Sequence, residues 1–170
     1  GDNLRLIAKV LRLYVKDSLF YFNGGKAYGV LMDFTALPQA PRTEQESRLF
    51  KLALPALSVF YSHPQTVVLK VTALPEEYPE LYQLPDDANT VAYPERGWCF
   101  AEAAMSGLVK PSYKVLDLGK LGRTENLIEV IEDCRAGPRA PLHPHDFEKE
   151  LEEKTFARRK LDFDRVAKLY

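Results

Sequence analysis

Glu102 is the residue of this chain whose type and setting best suit chemistry. It closes the segment Arg96-Gly97-Trp98-Cys99-Phe100-Ala101-Glu102, and Ala103 and Ala104 follow it. A helix that begins near Arg96 places Trp98 and Glu102 one turn apart on a shared face, with Cys99 and Met105 beside them. Phe100 and the flanking alanines take water from the carboxyl, and desolvation disfavours a charge, so its pKa is expected to rise. Two readings stay open at this point. Glu102 is either a working acid or a structural carboxylate paired with Arg96 or a backbone amide.

Asp33 is the second acid of interest. It ends the apolar run Ala27-Tyr28-Gly29-Val30-Leu31-Met32-Asp33, where a carboxylate either caps the next turn or meets a ligand. Other signatures of chemistry do not form. His143-Pro144-His145 has a proline that imposes an extended geometry, and no acidic cluster accompanies it, so surface histidines are expected and no metal site. Cys99 and Cys134 lack zinc or redox spacing and read as reduced thiols, which points to an intracellular protein. Ser106 and Ser112 lack a nucleophile elbow. Gly24-Gly25 precedes a strand pattern rather than following one, so it forms no phosphate-binding loop.

The elements that must position Glu102 alternate. Leu6, Ile7, Val10, Leu11, Tyr14 and Val15 follow helical spacing behind a cap at Asp2 or Asn3, and Asn23-Gly24-Gly25 ends that helix. The run over 27–33 reads as a strand buried on both faces of a parallel sheet. Thr43-Glu44-Gln45-Glu46 is a capping box, opening a helix through Tyr61 that Pro55 should bend. Residues 65–71 form a second strand, and 72–94 a long Pro-rich insertion. The Trp98 helix then runs to about Val109, with a third strand at 113–118 and a helix from about Thr124 through Ile131. Residues 137–144 are a Pro-rich connector, and helices over 146–154 and from Asp162 close the chain. Phe147, Leu151 and Phe156 suggest that this tail packs back on the domain. The alternation predicts a doubly wound α/β domain over 1–136, with 137–170 as connector and helical tail. In such sheets ligands bind at the carboxyl ends of the strands, where Asp33, Thr72 and Asp117 should converge with the start of the Trp98 helix.

Bulk properties bound the function. The chain has 170 residues, enough for a core without disulfide staples. Lys and Arg number 23 against 24 Asp and Glu, for a net charge of -1, which argues against a nucleic-acid binder. No apolar run approaches the roughly 20 residues of a membrane helix, and no signal peptide opens the chain.

Several segments together resemble the Toll/interleukin-1 receptor (TIR) family, in a divergent form like those of algae and other protists. Val30-Leu31-Met32-Asp33 looks like that family's second strand, 54–71 like its following helix and strand, and Trp98-Cys99-Phe100-Ala101-Glu102 like its Trp-Cys-x-x-Glu at the start of a helix. The likeness covers roughly residues 4–118. It implies a TIR/flavodoxin-like sheet and, in catalytic members, cleavage of the nicotinamide–ribose bond of NAD by the glutamate, here Glu102. NAD would be substrate, with no resident cofactor. Asp33, Phe34, Thr35 and Trp98 would line or anchor the ligand cleft, and 34–39 would gate it. The resemblance also implies a first, central strand before Leu4, which this chain lacks and which preceding sequence or another chain would supply. The start at Gly1 without an initiator Met fits a fragment or processed form. The alternative is a non-catalytic interaction module or assembly subunit, acting through other protein chains or by self-association.

Overall fold

The computed structural model describes residues 2–21, 28–39, 41–73, 83, 89–137, 140–156 and 159–170. Helices α1 (Asp2–Tyr21), α2 (Asp33–Ala36) and α3 (Glu44–Ser62) precede strand β1 (Val68–Lys70). Helix α4 (Gly97–Gly107) crosses to strand β2 (Val115–Asp117), and α5 (Leu127–Cys134), α6 (Pro144–Glu152) and α7 (Arg159–Ala167) follow. The fold is mixed α/β. Its sheet, among the described residues, is one parallel pair with Val68 opposite Val115, Leu69 opposite Leu116 and Lys70 opposite Asp117.

Side chains alternate across a strand, and here that rule separates two environments. Leu116 is fully buried with Val10, Leu118, Val130 and Cys134, and Leu69 packs against the same cluster. This core joins α1 and α5 to one face of the sheet. Lys70, Val115 and Asp117 take the other face, towards α4. A second core surrounds α4, where Phe100, Ala101, Ala104 and Met105 pack with Phe147, Leu151 and Val166 from α6 and α7.

Local chemistry explains the helix starts. Thr43 and Glu46 exchange a reciprocal pair of bonds at α3: the Thr43 hydroxyl accepts from the Glu46 amide at 3.2 Å, and the Thr43 amide donates to the Glu46 carboxylate at 2.8 Å. Pro55 sits within α3 as anticipated. Helix α5 begins at Leu127 rather than near Thr124, because the Asn126 side chain accepts from the Glu129 amide at 3.0 Å. The buried carboxylate of Asp17 on α1 accepts from the Leu127 amide at 2.8 Å, tying α1 to that helix start. A negative charge is favourable there.

One expected strand does not form. Residues 28–32 carry no regular structure, Asp33 opens a helical turn, and Val30 is 57% exposed where burial on both faces was anticipated. Met32 keeps an extended backbone (φ -111°, ψ 110°), so the local preference survives without a ladder. A strand needs a neighbour for its backbone groups, and among the described residues this segment pairs with none. Within the insertion, 74–82 and 84–88 lie outside the described residues, as does the expected stop at Asn23–Gly25. No described helix is long and apolar enough to cross a membrane.

Candidate functional site around Glu102

The start of α4 is built by its neighbours. Arg96 precedes the helix without a side-chain cap. Its guanidinium instead donates to the carbonyls of Val91 at 2.6 Å and Asn89 at 3.0 Å, which folds the end of the insertion against the helix. The Gly97 amide donates to the Thr155 carbonyl at 2.9 Å, and the Thr155 amide donates to the Glu95 carbonyl at 2.8 Å. The chain after α6 therefore pairs with the entry to α4. A Cβ at Gly97 would lie 2.0 Å from Cζ of Phe156, so the absence of a side chain lets the ring approach this closely.

Glu102 lies one turn into the helix and is partly buried. The Tyr61 hydroxyl at the end of α3 donates to its carboxylate. Burial pushes the Glu102 carboxyl up to about 8, the negative charge of Asp33 adds to the rise, and the Tyr61 bond opposes it. This carboxyl is therefore largely protonated at neutral pH and within easy reach of ionisation. Arg96 is committed to backbone carbonyls, so the closed Arg96–Glu102 pair considered from sequence gives way to a Tyr61–Glu102 contact.

The charge of exposed Asp33, which opens the four-residue turn α2, reaches Glu102 from across the chain. Its charge also reaches Tyr61, Tyr93 and Cys99, so these groups share one electrostatic environment with Glu102. Burial, followed by the charge of Glu102, raises both phenols well above the ordinary tyrosine range. Both remain hydroxyl donors. The Cys99 thiol is pushed up to about 11, by burial first and Glu102 second, with Arg96 opposing. Such a thiol stays protonated and is a poor nucleophile.

The remaining sequence candidates are placed differently. Thr35 is exposed, and its hydroxyl donates to the Met32 carbonyl at 3.1 Å, closing the turn that carries Asp33. Trp98 is partly buried and packs against the apolar cluster of α4. The side chain of Phe34 lies outside the described residues. The loop after α2 is tied down by Arg42, whose guanidinium sits 3.7 Å from the centre of the Phe50 ring. His143 caps α6 by accepting from the His145 amide at 3.2 Å. Among the described residues, no group of His, Cys, Asp and Glu is arranged to hold a metal ion.

Tyr61 and Tyr93 are the site residues that sequence reasoning missed. Tyr61 read as part of the apolar stripe of α3, and Tyr93 as part of the insertion. A polar tip on the last turn before a strand was the only hint at Tyr61.

No protein-family model matches the chain, and no curated protein or solved structure matches it.

Proposed function

We propose that the cleft at Glu102 binds NAD and cleaves its nicotinamide–ribose bond, within a doubly wound TIR-like sheet of which β1, α4 and β2 are part. The observation that carries this reading is the raised, partly buried carboxyl of Glu102, set beside Asp33 and held by Tyr61. The carbon–nitrogen bond breaks with both electrons leaving on nicotinamide, which discharges its pyridinium. The ribosyl oxocarbenium left behind is captured by water, which releases a proton. Carboxylates next to that cation stabilise it, and an ionised Glu102 can also accept hydrogen bonds from the ribose hydroxyls. The positive charge of bound NAD favours ionisation of Glu102, so substrate draws the carboxyl into its working form.

Incubation of the purified protein with NAD, followed by chromatography of released nicotinamide, tests this. Steady release that falls at least a hundredfold in Glu102→Ala supports it; activity retained in that variant removes the role from Glu102. A second reading rests on the exposed apolar run Tyr28, Val30, Leu31 and Met32. Apolar stretches of this kind mark association surfaces, and a self-associating interaction module would use it. Sedimentation equilibrium distinguishes the two. A dimer abolished by Val30→Asp with no nicotinamide release favours the module, whereas a monomer counts against it.

A further inference from the structure

The sheet face opposite α1 does not close on α4. Between them lies a cavity of about 560 Å3, within the size range of small-molecule sites. Small side chains create the space: Ala103, Ala104 and Gly107 on α4, with Ala136, Gly137 and Ala140 in the chain after α5. At 100° per residue the three α4 positions centre roughly 150° around the helix from Glu102, so this is a separate site. The Tyr170 hydroxyl donates to the Leu142 carbonyl at 2.9 Å, and both residues help form the outer wall.

The charge of this cavity is its distinguishing property. Among the described residues, Lys70, Lys110 and Lys120 line it against a single carboxylate side chain, that of Asp117. Asp117 is already engaged, accepting from the Thr72 hydroxyl and from the Gly119 amide at 3.1 Å. Among the described residues, none of the three lysines makes an ion pair within 4 Å. Lys110 is buried, with its ammonium on the Tyr61 carbonyl. Burial, with Lys114 adding to it, pushes that ammonium down to about 8. Burial also lowers Lys70, with Lys120 adding to the effect and Asp117 opposing it. Lys120 is exposed, whereas Lys70 and Lys110 are partly desolvated cations in excess of their counter-charge, which an anion that replaces lost water stabilises.

We propose that this cavity binds a small phosphorylated molecule, with the phosphate between Lys70 and Lys120 and the body of the ligand against the small residues of α4. Lys70 projects from the carboxyl end of β1 and Lys120 follows β2, so the parallel pair brings both cations to one end of the sheet. Lys110 supplies further positive field from the back wall. The apolar part of the lining, Ala103, Ala104, Val115 and Leu142, suits an organic body rather than a bare ion.

Isothermal titration with inorganic pyrophosphate and with glucose 6-phosphate tests the proposal on the full chain. Saturable one-site binding of both is expected, with glucose 6-phosphate at least as tight per phosphate charge. Lys70→Met combined with Lys120→Met should weaken both ligands at least tenfold, whereas Lys149→Met on the exposed face of α6 should change them less than twofold. Gly107→Leu gives a variant without charge change. A Cβ at Gly107 meets nothing within 4 Å, so the side chain should occupy the cavity without disturbing the helix, and it should weaken glucose 6-phosphate more than pyrophosphate. Thermal unfolding checks that each variant folds. Absence of saturable binding to about 10 mM, a range that reaches affinities far weaker than ordinary metabolite sites, would overturn the proposal. So would equal weakening by Lys149→Met, or binding untouched by both the double lysine variant and Gly107→Leu.

Discussion

At the scale of single residues, the ionisation of Glu102 links the site to stability. Its folded pKa of about 8 lies above the 4.5 of an unburied glutamate. Between those values the folded protein keeps a proton that the unfolded chain has released, so this group's contribution to stability falls as pH rises from about 4.5 to 8 and is constant outside that window. Glu102→Gln removes the titration while leaving an oxygen to accept from Tyr61. The variant should match the parent near pH 4 and exceed it by roughly 10 °C or more in Tm at pH 8.5, because a rise from 4.5 to about 8 corresponds to several kcal/mol at about 1.4 kcal/mol per pH unit. Parallel melting curves across pH 4–9 check this, and a constant offset would show that the carboxyl does not titrate as described. Catalysis carries the same signature with a different sign. If ionised Glu102 cleaves NAD, kcat/KM should rise tenfold per pH unit below about 8 and level above it. Tyr61→Phe removes the hydrogen bond that lowers the Glu102 pKa, so that limb should move to higher pH.

At the scale of elements, the entry to α4 depends on two other segments. Gly97 has helical neighbours and no side chain because the Phe156 ring occupies the space. Alanine is the better helix former by about 1 kcal/mol, but overpacking costs about 1–3 kcal/mol, so the clash should win. Gly97→Ala is expected to lower Tm by several degrees, and Phe156→Leu added to it should restore most of the loss. An additive double variant would mean that the ring yields freely. The sheet shows the same dependence on neighbours. Val68–Lys70 and Val115–Asp117 form a ladder because each has the other, whereas Tyr28–Met32, with comparable residues, has no partner among those described and remains exposed. Strand propensity is a fit to a paired, half-buried surface rather than a property of the segment alone.

At the scale of the whole molecule, the C-terminal helices complete the core of the helix that carries Glu102. Phe147 is fully buried between Phe100, at a ring separation of 5.3 Å, and Tyr170, at 3.9 Å. Phe147→Ala should cost about 3–5 kcal/mol, or roughly 10 °C in Tm, and should loosen α4 along with α6. Hydrogen exchange provides the check: amides of α4 should lose protection in step with those of α6, and loss confined to α6 would divide the core at that boundary.

Sequence by itself determined what short-range chemistry controls. The Thr43–Glu46 capping box and the helix containing Pro55 follow from residues within one or two turns of one another, and the apolar neighbours of Glu102 announce the direction of its pKa shift, to which distant Asp33 adds. Tertiary structure alone decided which side chain holds that carboxyl. Tyr61 lies 41 positions away, and Arg96, the nearer candidate, is drawn off by the carbonyls of Val91 and Asn89. It also decided that 28–32 is not a strand and that Lys70, Lys110 and Lys120 share a cavity. Pairing and clustering are properties of segments brought together from far along the chain, and no local pattern records which partners are within reach.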